Sequence, residues 1–209
     1  MPTIPISWTC ELGVRWLEAG HFRIESSFYY INGRNQQLTV FPPGLSTGRM
    51  MTNAGVSRSL GAEAEADWHA DRWHTHLSYG CCDARFVRYN DGNHDYAGRR
   101  IPYSPAHTVF AMAAYRLPFT SATAQALTLE SDLHGTGGLF WDEANTLREP
   151  FSWRLGARLA LSFPRFELYL RGDNLTGDRA RTFYFKSIGR EFFALSKPLS
   201  LLLGISIKV

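Results

Sequence analysis

The chain has 209 residues, 44% of them hydrophobic and 14% aromatic, with a formal net charge of +3. That aromatic content excludes a disordered polypeptide, and 20% charged residues without a basic run exclude a nucleic-acid partner. No window holds the roughly 18 uninterrupted apolar residues of a transmembrane helix. The slightly negative mean hydropathy leaves membrane-crossing strands open, because their lumen-facing residues are polar and alternate with lipid-facing ones.

The first residues, Met1 to Ser7, carry neither a charged n-region nor a long apolar h-region. Period-two alternation then predicts strands over residues 8–18, 22–32, 55–69, 72–88, 107–118, 123–134, 151–163, 165–173 and 201–209. In 55–69, Val56, Leu60, Ala62, Ala64, Ala66 and Trp68 share one face, interrupted by Arg58, while Glu63, Glu65 and Asp67 share the other. In 151–163, Phe151, Trp153, Leu155, Leu159, Leu161 and Phe163 oppose Ser152, Arg154, Arg158 and Ser162. Several of these segments reach the length that a tilted membrane span requires.

The connections alternate in length. Residues 18–21, 70–72, 118–122 and the region of Pro164 are short turns; 33–54, 89–106, 135–150 and 174–197 are long loops. Short periplasmic turns and longer extracellular loops characterise outer-membrane barrels. On that count the ninth strand runs downward and places Val209 in the periplasm. Aromatic pairs flank each short turn (Trp16/Phe22, Trp68/Trp73, Tyr115/Phe119, Phe163/Phe166) and predict an interfacial girdle. The expected fold is all-β, an antiparallel transmembrane barrel.

Three segments carry a resemblance to a known family. Residues 53–65 end in a Gly-x-Glu-x-Glu pattern at Gly61, Glu63 and Glu65. Residues 100–108 place Pro102, Pro105 and His107 in a Pro-x-x-Pro-x-His-Thr entry to a strand. Residues 173–178 hold Asn174 and Leu175 in a turn similar to an Asn-Leu-Phe-Asp turn. In this order and spacing the chain resembles the C-terminal barrel of TonB-dependent outer-membrane receptors. The terminal strand keeps Gly204 and Ile207 in the spacing of an assembly signal, with Val209 in place of the aromatic.

The resemblance implies a plug domain inside a barrel of about 22 strands, with energy from an inner-membrane TonB complex acting through the plug. Some nine strands are the C-terminal part of such a barrel. The chain is therefore expected to be a fragment or truncated product, not competent for transport alone. Its implied partners are outer-membrane lipid and lipopolysaccharide, the missing N-terminal barrel and plug, and TonB. The implied activity is uptake of a scarce nutrient of the iron-siderophore, haem or cobalamin type, without catalysis. Long-loop residues Arg34, Arg99, Arg100, Tyr103, Trp141, Tyr184 and Arg190 suit an anionic, conjugated ligand. A passive porin-like barrel and a soluble all-β binding domain are the alternatives.

Other chemistry finds little support. P-loop and GxGxxG patterns are absent, and Asp91 to Asp95 lacks an EF-hand register. His69, His74 and His76 cluster about one short turn, but no carboxylate or Cys follows at ligand spacing, so neither metal nor cofactor is assigned. Cys10, Cys81 and Cys82 are expected as free thiols, the vicinal pair on opposite faces.

Overall fold

The computed structural model describes residues 4–18, 20–35, 37–40, 50–53, 55–121, 123–187 and 189–207. Among these are fifteen strands: β1 (Ile6–Glu18), β2 (Phe22–Arg34), β3 (Gln37–Val40), β4 (Met50–Asn53), β5 (Val56–Ala70), β6 (Trp73–Arg88), β7 (His107–Pro118), β8 (Ala126–Gly137), β9 (Leu139–Phe140), β10 (Arg148–Glu149), β11 (Ser152–Ser162), β12 (Phe166–Asp173), β13 (Arg181–Ser187), β14 (Arg190–Leu195) and β15 (Ser200–Ile207). Nine of them form one antiparallel meander in the order β1-β2-β5-β6-β7-β8-β11-β12-β15. The remaining six make three two-stranded hairpins within the long loops. These hairpins were not expected from the sequence, which reads those stretches as loops. Val209 and its neighbour, and with them the reading of the chain's end, lie outside the described residues.

The nine strands agree closely with the alternation. The largest shift is in β8, which begins at Ala126 and runs on to Gly137. Gly135 and Gly137 look like loop formers in sequence. They extend the strand because a Cβ at either position would lie within 2.8 Å of Phe151, or of Trp153 as well at Gly135, so the glycines make room for these rings.

Register divides the sheet into two faces. Pairs such as Leu155↔Leu133 and Leu159↔Leu129 line one face; Ala66↔Leu77 and Trp73↔Tyr115 continue it. Many of its side chains stand open, including Leu12 at 71%, Leu203 at 78% and Ile207 at 71% exposure. So extensive an apolar surface has hydrocarbon as its compatible solvent. Aromatic contacts mark two heights on it. At the short-turn end Trp16 meets Phe22 at 5.7 Å, Trp73 meets Tyr115 at 4.8 Å and Phe163 stacks on Phe166 at 4.4 Å. At the other end Trp8 meets Tyr30 at 5.8 Å and Phe151 meets Trp153 at 4.7 Å. The eight residue steps from Trp16 to Trp8 span roughly 26 Å of strand. A tilt of about 40° reduces that to roughly 20 Å along the membrane normal, close to the apolar band of such barrels.

The strands β1, β5, β7, β11 and β15 run toward the short turns, and the other four of the sheet run away. Both edge strands, β1 and β15, therefore point the same way. A sheet with parallel edges cannot close on itself with every pair antiparallel. Wholly antiparallel closure requires an odd number of further strands between them.

Candidate functional site: lumen wall and long loops

The polar face is laced with ion pairs. Arg15 pairs with Glu25 at 2.9 Å, and the Arg23 guanidinium reaches Glu65 and Asp67 at 2.6 Å each. Farther along the sheet Arg171 binds Asp173 at 2.8 Å and Asp132 at 3.3 Å, and Arg158 pairs with Glu167. Glu63 lies on this same face, between Ser27 and Gly80 in register. Two tyrosine rings fill the space left by glycines directly opposite them, Tyr29 at Gly61 and Tyr169 at Gly204. Arg158 lies over the Tyr169 ring at 4.8 Å.

Near the short turn Asp71–Arg72, four ligand-bearing residues form a two-by-two grid on the polar face. Asp67 is opposite His76 and His69 is opposite His74. The His76 Nδ1 lies 2.8 Å from Asp67 Oδ1, and the His69 and His74 rings stack at 4.0 Å. Sequence reasoning sought carboxylates after the histidines on their own strand. Asp67 instead precedes the histidines and comes alongside His76 from the preceding strand by cross-strand register. The 70–72 turn joining the two segments held the signal.

The long loops meet at the opposite end. Two hydrophobic clusters of buried residues sit there, Phe86 and Tyr89 with Tyr96 and Ile101, and Leu139, Trp141 and Tyr184 with Leu147. Asn145 joins two loops, accepting the Arg100 N–H at 2.7 Å and donating to the Arg100 carbonyl at 2.9 Å. The Tyr103 hydroxyl donates to the Tyr184 carbonyl at 2.7 Å, and its ring meets Trp141 at 5.3 Å. Buried Glu149 accepts from Trp141 Nε1 at 2.9 Å and pairs with Arg181 at 2.6 Å. Burial pushes the Tyr89 hydroxyl up to about 12, helped by the charges of Glu143 and Asp91. Glu143 is itself raised by burial and by Asp142 and Asp91. Burial opposes the charge of Asp91 as well, yet the N–H groups of Asn93 and His94 and the Tyr96 hydroxyl hold it below its ordinary range.

Of the residues singled out in sequence, Tyr103, Trp141 and Tyr184 converge, with Arg100 tied in through Asn145. Trp141 and Tyr184 are buried at 6% exposure each, whereas Tyr103 is half exposed. Arg100 donates to the Cys82 carbonyl at 2.6 Å and faces Asp83 at 3.3 Å. Arg34, Arg99 and Arg190 are exposed and stand apart, at the end of β2, in the loop after β6 and at the tip of the β13–β14 hairpin. Sequence reading missed Asn145, Glu149 and Arg181, whose partners lie on other loops.

The motif residues have structural work. Strand β7 begins at His107, directly after the Pro102 and Pro105 stretch. Asn174 is buried and donates to the carbonyls of Asp178 at 2.9 Å and Lys197 at 2.7 Å; the Leu175 N–H donates to Leu155 at 2.7 Å. Cys10, Cys81 and Cys82 are free thiols.

A polar lumen wall, an apolar outer face and loops gathered at one end define an outer-membrane barrel segment. The family model for the TonB dependent receptor-like β-barrel matches residues 5–175. The chain belongs to that family, whose members are receptors for transport. Its structure is similar to the ferric yersiniabactin uptake receptor FyuA from Yersinia pestis, at 22% identity with a TM-score of 0.78 over 96% of this chain and 29% of that one. It is also similar to the ferric citrate transporter FecA, at 21% identity with a TM-score of 0.74 over 94% of this chain and 30% of that one. The siderophore receptor PiuA from Acinetobacter baumannii gives 18% identity and a TM-score of 0.73 over 95% and 28%. The chain thus spans about three tenths of the length of the receptors it matches.

Proposed function

We propose that this chain is the lumen wall and loop surface of an outer-membrane receptor for TonB-energised uptake of a scarce, bulky nutrient of the iron-siderophore, haem or cobalamin type. The observation that carries this reading is the open nine-stranded sheet with one charged face, one apolar face and two edges running the same way. Unpaired edges are untenable in hydrocarbon. Such a sheet functions inside a larger barrel, beside the missing N-terminal strands and plug, and transports nothing alone. A second copy of the chain is a poor substitute. Antiparallel pairing of β1 with β1 turns the copy upside down, which one-way insertion into the membrane forbids.

Exposed Arg34, Arg99, Tyr103 and Arg190, and the partly buried Arg100, supply cationic and aromatic contacts for an anionic ligand. Trp141 and Tyr184 hold the Tyr103 loop against the β13–β14 hairpin from within. The apolar face meets outer-membrane lipid, the loop rim meets lipopolysaccharide phosphates, and TonB acts through the plug.

The test is accumulation of labelled ferric siderophores, haem and cobalamin by nutrient-limited cells that express the protein containing this chain. The expected result is saturable uptake of one class that disappears in cells lacking TonB and weakens when Arg99 and Arg100 become Ala. Non-saturable, TonB-independent entry of all three overturns the proposal in favour of a passive pore.

A further inference from the structure

Four side chains on the lumen wall near the short-turn end remain unused by the transport reading: Asp67, His69, His74 and His76. We propose that Asp67, His69 and His74 bind one divalent transition-metal ion there. Three observations point to it. The ligand atoms of these three residues all lie within 4.8 Å of one another, so turning the imidazoles out of their present stack brings the three around one ion. The two imidazoles are a directly opposed cross-strand pair, stacked at 4.0 Å and only 13° from parallel. Directly opposed positions hold their Cβ atoms about 5 Å apart, a spacing from which two rings can chelate one ion. The carboxylate is oriented from behind, Asp67 Oδ2 by Arg23 at 2.6 Å and Oδ1 by His76 at 2.8 Å.

The donor set selects the ion. Two imidazoles and one carboxylate suit zinc, copper or nickel, whereas calcium and magnesium demand more oxygen ligands. Three protein ligands leave one position for water or an exchanging group. The backbone that sets the spacing is the tight β5–β6 hairpin, with Asp71 at φ 46° closing its two-residue turn. All three ligands lie on that hairpin, with Arg23 of β2 behind the carboxylate, and the site stands whether or not the transport reading is correct.

The test is calorimetric titration of the detergent-purified protein with Zn²⁺, with Co²⁺ as a spectroscopic reporter. The expected result is one equivalent bound and a four-coordinate cobalt spectrum. His69→Ala, His74→Ala and Asp67→Asn should each weaken binding by about tenfold or more. His107→Ala, on the opposite face, should leave binding unchanged. Heat-modifiable gel migration reports whether each variant is folded. Should a variant misfold, X-ray absorption on the unaltered zinc-loaded protein decides, with two imidazoles expected in the first shell. Absence of stoichiometric binding, an oxygen-only shell, or equal affinity for Ca²⁺ overturns the proposal.

Discussion

The Tyr29 phenol fills the space beside Gly61, its directly opposed partner on the lumen wall, so that any side chain at position 61 would collide with it. The Cys81 carbonyl oxygen closes the other side, 2.7 Å from where a Cβ would stand. Gly61→Ala should therefore destabilise the sheet by about 1–3 kcal/mol, the usual cost of overpacking. Tyr29→Ala in the same chain should relieve part of that cost but not all, since the Cys81 carbonyl remains. Heat-modifiable migration of the two single variants and the double checks this; strictly additive effects contradict it.

Asn174 should be among the least replaceable turn residues. Its amide donates to two carbonyls and accepts from Asp178 N–H and Thr176 Oγ1 at 3.1 Å each, with φ at 52°. Asn174→Ala loses these bonds and adds left-handed strain, for an expected cost of about 3 kcal/mol. Asn174→Gly removes the strain but not the lost bonds, and should cost about 1 kcal/mol less. Equal thermal shifts for the two variants contradict the account.

The Glu149–Arg181 pair fastens the β13–β14 hairpin to its neighbouring loop. Glu149→Ala leaves a half-buried guanidinium without its carboxylate, and breaking such a pair costs about 3–5 kcal/mol of local stability. Hydrogen exchange over residues 181–195 should rise by orders of magnitude while the sheet stays protected. Unchanged exchange there, or exchange spreading to β11 and β12, counts against this role.

The loop after β6 should respond to pH through its own Asp91 and through Glu143 of the β9–β10 loop beside it, with opposite signs. Glu143 is raised from 4.5, so its packing is most favourable below that value and weakens as pH rises through the shifted one. Asp91 is lowered from 3.8, so its contribution is present above that value and lost as pH falls further. Protection of the loop should therefore increase as pH falls through the raised value toward 4.5. Glu143→Gln should flatten that change; a profile that survives the substitution contradicts it.

Much of the sheet was legible because alternation of period two is local, and β7 begins where Pro102 and Pro105 release the chain, at His107. What escaped was encoded across strands. The hairpin β13–β14 hides its pairing in Phe185 against Phe192, whose rings stack at 4.9 Å across a turn at Gly189. The link between Asp67 and the histidines needed register, and that between Asn145 and Arg100 needed the loops to fold together. Trp141 and Tyr184 read as exposed loop aromatics because nothing in their neighbourhood announces the partners that bury them.

The central claim is that alternate residues of each strand face lipid and an aqueous lumen. Neighbouring Leu77 and Ser78 on β6 test it directly, in a background with Cys10, Cys81 and Cys82 replaced by Ser. With the protein in bilayers, Leu77→Cys should react with a lipid-partitioned maleimide and resist a membrane-impermeant one, and Ser78→Cys should do the reverse. Equal reaction of both cysteines with the water-soluble reagent would contradict the account.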